Sequence, residues 1–589
     1  MASRLLLTSP GTRLATGSAA AAPLRRWQAA RTAASAAAAA AVRCASSSSA
    51  SSTSNSASST TLDDLHRLLR TVTASYPHQH TLRMPTRLAP RQTWVELTQS
   101  RLQNAQDSSN RSGDASIAPG GGLLASAKEA VSKALGAHTA DAAPGLPESM
   151  LAPKPMSASY VEMYLPFSSS PSLVEKYIAT SGLVRLGMLF QDLDTLAGAC
   201  SYQHVLGAQP REGDSSNPTY IVTASVDRLD MLEHLQPDRD YRLSGQVIYV
   251  GTSSLEVLVT VDEIESSSSS APASGSNAYP RSLKTCLTGR FTMAARNAHT
   301  KRSQRVPALQ LNTDAERALF AVGEELKARK REHSLSSLER VPPTQAESAL
   351  LHRQHLEDEL IFAAEGQGQG QGQTLPSGTA EPSHHVPVPV SSTVLRSSAH
   401  MHPQSRNVHG KVFGGFLMRQ AYELGWMCCA LFKGGSSQSS HITTSSSSSS
   451  SPDKIPVRFL ALDTLSFHAP VEIGSMLSLT ARVDYSETGG AEEAGSGEDV
   501  DGDGVREAVA AVSVVAEVTN IETGHTQRTN TFRFSFALAD SSPSASSSSG
   551  AAATTIRRRV SPRSYAEAME WIDGRRRVLA GREVRRGLA

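Results

Sequence analysis

The sequence predicts an α+β fold built from two copies of one unit, each a long helix wrapped by a curved antiparallel sheet. The clearest element is the stretch 406–432, where Gly410, Gly414 and Gly415 lead into apolar residues spaced three or four apart, the period of a helix with a buried face. A second apolar helix lies about 230 residues earlier, and alternating stretches follow both helices. Two such units predict an intrachain pseudo-dimer.

The first unit is assigned to 155–298. It opens with a strand and continues into a helix whose apolar stripe includes Leu189, Leu193 and Leu196. Runs that alternate between apolar and polar residues follow, as in an antiparallel sheet with one buried face. The predicted strands are 159–165, 219–229, 241–263 (bent or paired on itself) and 282–295.

The second unit is assigned to 386–540 and repeats this order. An acidic, glycine-rich stretch at 487–505 is interpreted as an expanded hairpin loop. It lacks the glutamate that a calcium loop places at its twelfth position, so we predict no metal there. The predicted strands are 386–397, 457–467, 475–485, 508–520 and 527–538.

The remaining segments have the composition of linkers and tails. Two charged helices are predicted at 315–331 and 345–363. We interpret them as a solvated bridging pair, with a lid over a site as the alternative. The segments are 1–60 (transit peptide and disordered segment), 61–154 (poorly structured), 299–385 (charged helical and low-complexity linker) and 541–589 (basic tail with a short helix).

Charge and hydropathy limit the partners of the chain. The formal net charge is +2, which argues against a surface built for nucleic acid, and no stretch has the 18 continuous apolar residues of a membrane span. The N-terminus is rich in arginine and serine and has no acidic residue before Asp63. This composition predicts import into mitochondria, into the matrix, with a plastid or a merely disordered tail as alternatives.

The five cysteines include no CxxC pair. We interpret them as buried thiols in a reducing compartment and not as metal ligands or nucleophiles. The glycine-led helix carries more chemistry, because glycines at a helix N-terminus let a ligand approach backbone N–H groups that have no partner within the helix. Asn407 lies just upstream and Glu423 about two turns into the helix. These residues are expected to form half of an active site.

Several motifs together resemble one family. Asn407 to Gly415, followed by a helix, and Phe467 to Gly474 resemble the signature of hotdog-fold acyl-CoA thioesterases. Arg185 to Gly198, Gly251 to Val257 and the stretch 564–571 resemble the mitochondrial two-domain members in particular. The resemblance covers about 155–540, and it implies two tandem hotdog domains and hydrolysis of fatty acyl-CoA to fatty acid and CoA.

The resemblance also implies the site residues. An acidic residue of one domain's helix should face the asparagine loop of the other, which pairs Asp194 with Asn407. The same count in the second helix reaches Tyr422, with Glu423 one step later as the relic of a second site, and Ala179 stands where the first unit would need an asparagine. We therefore expect one working site per chain.

Each residue is expected to have a distinct role. Asp194 would activate water, with direct attack on the thioester as the alternative, and Asn407 would hold the water or the carbonyl. Backbone amides at Gly414 and Gly415 would bind the oxyanion, with His409 lining the loop. The candidates for contacts with the CoA phosphates are Lys411, Arg419 and Arg458. We expect no cofactor.

Other titratable residues near these motifs are interpreted as structural, namely Asp192, His204 and His468. Two other functions stay open. A hotdog enoyl-CoA hydratase would need an acid where the loop has Asn407, and a non-catalytic acyl-CoA-binding or regulatory protein would tolerate the loss of Asp194. The resemblance further implies a homo-oligomer.

Overall fold

The computed structural model describes residues 62–74, 76, 146–208, 219–264, 283–366, 385–407, 410–434, 457–487, 508–538 and 557–586. Its helices are α1 (Leu62–Thr73), α2 (Pro171–Tyr177), α3 (Leu186–Leu206), α4 (Asp314–Leu335), α5 (Gln345–Gly366), α6 (Gly414–Gly434) and α7 (Tyr565–Arg586). Short 3₁₀ turns lie at Glu148–Leu151, Met156–Ser159, Val390–Thr393 and Pro403–Ser405.

Each half of the described chain contains seven strands. In the first half they are β1 (Lys154–Pro155), β2 (Val161–Pro166), β3 (Thr219–Met231), β4 (Asp240–Val250), β5 (Ser254–Ile264), β6 (Leu283–Asn297) and β7 (Leu309–Gln310). In the second half they are β8 (His385–Pro389), β9 (Leu395–His400), β10 (Val457–Ser466), β11 (Met476–Glu487), β12 (Ala508–Thr519), β13 (Thr526–Leu538) and β14 (Arg557–Ser561).

Ten of the described strands form one antiparallel sheet in the order β2-β4-β5-β6-β3-β10-β13-β12-β11-β9. The halves meet where β3 pairs with β10, with Leu229 opposite Leu462 and Ser225 opposite Ser466. Each half of the sheet curves around its own long helix, α3 or α6, and both helices are buried in one continuous apolar core. The predicted α+β fold, two hotdog units forming a pseudo-dimer, is confirmed.

The loops that lead into the long helices repeat in detail. The N–H of Ala179 donates to the carbonyl of Leu183 at 2.8 Å, and the N–H of Asn407 donates to the carbonyl of Lys411 at 2.6 Å. A glycine in the left-handed region follows three residues after each, with φ of 83° at Gly182 and 73° at the corresponding glycine. Ala179 therefore occupies the position of Asn407, as the residue count predicts.

Helices α4 and α7 also form a matched pair. Both begin with a capping box, in which the N-terminal hydroxyl of Thr313 or Ser564 accepts from the N–H three residues later and the glutamate there accepts in return. Gly323 and Gly574 let these helices approach a sheet strand, because a Cβ on either would lie 2.7 or 2.8 Å from a tyrosine Cβ. The repeat thus extends beyond the predicted domain limits.

This packing changes the prediction for the linker and the C-terminus. Helix α4 lies on the sheet face opposite α3, with Leu319 buried against Ile248, and helix α5 buries Asp358 in an ion pair with Arg559 of β14 at 2.6 Å. Helix α4 therefore docks on the large sheet, and helix α5 docks on the separate strand pair β8–β14 and on α7, in place of the predicted solvated pair. The predicted tail with a short helix is a strand followed by the 22-residue helix α7, whose Trp571 is buried.

The region 61–154, predicted to be poorly structured, contains helix α1. Its Leu65 and Leu69 pack in a small apolar cluster with Leu319 of α4. Leucines at i and i+4 of an amphipathic helix present one apolar stripe, and burial of that stripe fixes the helix. No helix in the described part of the chain is long and apolar enough to cross a bilayer.

Candidate active site

The long helices α3 and α6 run antiparallel and touch near their N-terminal ends. A Cβ on Gly415 would lie 2.8 Å from Cα of Gln191, and a Cβ on Gly187 would lie 2.8 Å from Cγ of Arg419. At Gly415 the neighbour is backbone, so a side chain there would block the approach, whereas at Gly187 the nearest neighbour is the flexible side chain of Arg419. Each end of this contact brings a side chain of one half to the helix N-terminus of the other half.

Asp194 of α3 lies at one end of the contact and is only 2% exposed. Its Oδ2 accepts a hydrogen bond from the N–H of Gly415 in the other half at 2.7 Å, and its Oδ1 accepts from Oγ1 of Thr223 on β3 at 2.7 Å. Burial raises the pKa of Asp194 to about 6, although both hydrogen bonds favour the carboxylate and oppose that shift. The group is therefore poised to exchange a proton near neutral pH.

Asn407 lies in the loop that leads into the same helix N-terminus. Its Oδ1 accepts from the N–H of Lys411 at 3.1 Å, which closes a tight turn, and the N–H of Phe413 donates to the carbonyl of Ser405 at 3.0 Å. The turn ties the side chain of Asn407 to the segment that ends in Gly414 and Gly415. The structure thus connects the Asn407 loop to the peptide that holds Asp194. The predicted loop residue His409 lies outside the described residues.

Gly414 faces the carboxylate directly. A Cβ at this position would lie 3.1 Å from Oδ2 of Asp194 and 3.4 Å from Cζ of Phe467. The N–H of Gly414 makes no hydrogen bond within the described part of the chain. The N–H of Gly415, predicted to bind an oxyanion, is used instead to hold Asp194, because a buried carboxylate needs a donor and a helix N-terminus supplies one.

Sequence reasoning missed two residues of this site. Thr223 contacts Asp194 from the sheet, and Phe467 borders Gly414 at the end of β10. The alternation at 219–229 placed Thr223 on a strand but gave no partner for its hydroxyl. Phe467 is the first residue of the motif at 467–474, and its place in that motif was the available signal.

The other end of the helix contact differs in chemistry. Glu423 accepts from Nε of Arg185 at 2.8 Å, and Nη2 of the same arginine lies 2.7 Å from the same oxygen. Tyr422, at the position that corresponds to Asp194, is buried and packs edge-on against Phe190 at 5.1 Å and Phe459 at 5.6 Å. Tyr422 therefore occupies the position of a second carboxylate, and Ala179 occupies the position of a second asparagine.

The three candidates for phosphate contacts lie in different surroundings. Lys411 is on the surface and pairs with Glu472. The guanidinium of Arg419 lies between the long helices, 3.4 Å from both Sδ of Met188 and Oε1 of Gln191, so it contacts α3 in this arrangement. Arg458 lies on β10 and is partly buried.

The other titratable residues have structural surroundings. Asp192 is buried and accepts from the hydroxyl of Tyr177 at 2.5 Å. His204 is buried with Nε2 at 2.9 Å from the carbonyl of Pro307, and burial lowers its pKa. His468 is exposed. Burial raises the pKa of the thiols of Cys200, Cys286, Cys428 and Cys429, and all four are free.

Fold and site together define a class. A buried carboxylate with a raised pKa meets backbone donors and an amide loop where two hotdog units join. This arrangement provides a base and donors for a carbonyl oxygen without a nucleophilic serine or cysteine at the described site. It is the arrangement of a hotdog hydrolase that acts on an activated acyl group.

Comparison with known proteins gives the family. The chain is 30% identical to acyl-coenzyme A thioesterase 9, mitochondrial, of Bos taurus over 72% of its length and 78% of that protein. It is 28% identical to acyl-coenzyme A thioesterase 10, mitochondrial, of Mus musculus over 73% of its length and 80% of that protein. The chain therefore belongs to the acyl-coenzyme A thioesterase family and is a thioester hydrolase.

The similar solved structures match only part of this chain over nearly all of their own length. An acyl-CoA hydrolase from Staphylococcus aureus, solved with butyryl coenzyme A, matches with a TM-score of 0.24 and 19% identity over 31% of this chain and 93% of its own. An acyl-ACP thioesterase from Bacteroides thetaiotaomicron matches with a TM-score of 0.30 and 10% identity over 65% of this chain and 100% of its own. No family model matches the chain.

Proposed function

We propose that the chain hydrolyses fatty acyl-CoA at one site, with Asp194 as the base and Asn407 and Gly414 as the groups that bind the thioester carbonyl. The observation that supports this most directly is the hydrogen bond from the N–H of Gly415 to Asp194, made between the two halves. It holds a carboxylate of the first half at the helix N-terminus of the second, beside the asparagine loop.

The reaction follows from these positions. Asp194 takes a proton from water while the water oxygen attacks the thioester carbon, which gives a tetrahedral oxyanion. The N–H of Gly414 and the amide of Asn407 donate to that oxyanion, a contribution of roughly 3 kcal/mol per donor to the activation free energy. The carbon–sulfur bond then breaks, and the proton on Asp194 passes to the CoA thiolate. The products are a carboxylic acid and free CoA.

Direct attack by Asp194 is the alternative first step. It would form a mixed anhydride with the acyl group and release CoA before water enters. The Thr223 and Gly415 hydrogen bonds engage one lone pair on each carboxylate oxygen and lower its basicity and its nucleophilicity alike, so they do not distinguish the two routes. A single turnover in ¹⁸O-water detects the anhydride route when water attacks its aspartyl carbon, because the fatty acid then keeps ¹⁶O from the protein and Asp194 gains ¹⁸O. An acyl-enzyme anhydride trapped with hydroxylamine detects the route when water attacks the acyl carbon.

The experiment that tests the proposal is thiol release from a panel of acyl-CoAs, with the chain and its Asp194→Asn variant. Hydrolysis by the chain and its loss in the variant support the assignment. A non-catalytic acyl-CoA-binding protein would bind the panel and release no thiol. A hydratase would instead change the absorbance of an enoyl-CoA and leave its thioester intact.

Two further properties belong to the proposal. We propose a location in the mitochondrial matrix, supported by the acid-poor N-terminus and by relatives that are named mitochondrial. We also propose a homo-oligomer, with light scattering on the purified chain as its test. For contacts with the CoA phosphates, the candidates are Lys411, Arg419 and Arg458. Import of the full chain into isolated mitochondria, followed by swelling and protease treatment, tests the location.

A further inference from the structure

The end of the helix contact without a second active site contains an ion pair that joins the halves. Oε1 of Glu423 lies 2.7 Å from Nη2 and 2.8 Å from Nε of Arg185, and 3.8 Å from Nε of Arg419. Arg185 is the N-cap residue of α3, and Glu423 is on α6. We name the contact between Arg185 and Glu423 the distal ion pair.

The surroundings of the distal ion pair indicate that stability is not its main effect. Its side chains are 39% and 28% exposed, and pairs with that much solvent contribute little to the free energy of unfolding. Apolar contact at the same end comes from Phe190 and Tyr422, whose rings are 5.1 Å apart. These rings supply apolar contact between the helices, and the charge-assisted hydrogen bond adds a polar contact of defined geometry.

The same stretch of helix contains the working site. Gly187 lies against Glu423 and Arg419, Gln191 lies against Gly415, and Asp194 receives the Gly415 N–H within one more turn. A helix is rigid over this length, so a slide or rotation at one end moves the other end with it. Hydrogen bonds at both ends of the contact, together with those from Arg419 to Met188 and Gln191 between them, fix how α3 lies on α6.

We propose that Arg185 and Glu423 are positioning residues of the thioesterase site. The distal ion pair sets the register of α3 against α6 and so places the Asp194 carboxylate beside Gly414. This inference rests on the proposed function of Asp194. It assigns to the distal ion pair a present role in catalysis at the opposite end.

A charge-exchange experiment tests the inference. Glu423→Gln and Arg185→Gln are each expected to lower kcat on the order of tenfold, with KM nearly unchanged, as for a small displacement of the reacting groups. The exchanged pair Arg185→Glu with Glu423→Arg is expected to recover most of the loss, because the contact is restored with opposite polarity. The midpoint of the kcat–pH profile should also shift in the single variants, because the hydrogen bond from Gly415 to Asp194 is loosened.

The matched control is the ion pair between Arg239 and Glu263, which is similarly exposed and lies away from the helix contact. Arg239→Gln should leave kcat and the pH profile unchanged. Full kcat and an unshifted profile in the two single variants would overturn the inference, as would lowered kcat with no recovery in the exchanged pair. Asp194→Asn is measured in parallel, because residual full activity in that variant overturns the proposed function and not only this inference.

Discussion

The two ends of the contact between α3 and α6 are equivalent in the repeat of the two halves, but their polar groups differ. At one end, Asp194 is buried and bonded to a helix N-terminus and to Thr223. At the other, Tyr422 fills the corresponding position and Glu423 pairs with Arg185 at the surface. The same backbone thus supports a proton-accepting carboxylate only where a donor-rich and desolvated environment surrounds it.

The largest expected effect is the loss of Asp194. Asp194→Asn keeps the shape and should lower CoA release on the order of a hundredfold or more, because the base is lost. Retention of about half the activity would mean that the end with Glu423 also works, contrary to a single site. Asp192→Asn is the control, because that carboxylate accepts from Tyr177 and should affect the melting temperature while kcat is maintained.

The same variant should reveal the cost of the burial. The pKa of Asp194 is about 6 in the folded protein and 3.8 for an ordinary aspartate, so its ionisation opposes folding by about 3 kcal/mol at neutral pH. The cost is small at pH 4 and below, where the group is largely protonated in both states; it develops as the pH rises from about 4 to about 6 and is constant above that. Asp194→Asn should therefore raise the free energy of unfolding at pH 7.5 but not at pH 4, as measured by urea denaturation.

Substitutions at Asn407 come next. Asn407→Ala should lower kcat on the order of a hundredfold, since it removes a donor to the oxyanion. Asn407→Asp keeps the acceptor for the N–H of Lys411 and separates turn geometry from donation. If the aspartate variant retains full kcat, the amide is not a donor in the reaction. The mirror substitution Ala179→Asn should change nothing, because Tyr422 offers no carboxylate to that loop.

Thr223→Val should act through the pKa of Asp194. The hydroxyl hydrogen bond lowers that pKa, so its removal moves the midpoint of the kcat–pH profile to higher pH. A hydrogen bond to a charged group worth roughly 1.5 kcal/mol corresponds to a pKa shift of about one unit. We therefore expect about a twofold loss of kcat at pH 7 and about a tenfold loss at pH 5, where the carboxylate limits the rate in both proteins. Thr223→Ser keeps the donor and should retain the wild-type profile. An unshifted profile in the valine variant would exclude this role for the hydroxyl.

Alanine at three helix glycines should give the smallest effects, graded by the space at each position. Gly415→Ala forces a Cβ against the backbone of Gln191 and should destabilise by roughly 1–3 kcal/mol and lower activity. Gly187→Ala meets mainly the flexible side chain of Arg419 and should cost less. Gly198→Ala meets nothing within 4 Å and should stabilise α3 by about 1 kcal/mol. Thermal unfolding ranks the three, and equal values would contradict the close helix approach.

Local sequence patterns predicted where helices and strands lie better than they predicted how those elements pack against each other. The hairpin around Gly251 and the apolar period of α3 and α6 appear in the sequence because they depend on neighbouring residues. The sequence did not reveal that α5 and α7 dock on the fold. Asp358 and Arg577 look like surface charges until their partners Arg559 and Asp484, which are remote in sequence, are known. A buried charge is tolerated only beside its partner, and a single sequence does not reveal that pairing.

The site followed the same rule. Counting from the helix glycines placed Asp194 and identified Ala179 as the counterpart of Asn407, since helices and tight turns have fixed spacing. Thr223 escaped detection because it reaches Asp194 from a strand after a long intervening segment. The use of the Gly415 N–H by Asp194 could not be predicted either, because it depends on how two distant halves approach each other.

The pairing of β3 with β10 joins both halves into one sheet within one polypeptide. In a symmetric dimer of a single-unit ancestor, every substitution would appear at both interfaces at once, so a change that harmed one catalytic centre would harm its twin. Gene fusion removes that constraint, and each copy can accumulate its own changes. Tyr422 and Arg185 illustrate that freedom, because the matching positions of the other half hold Asp194 and Phe413.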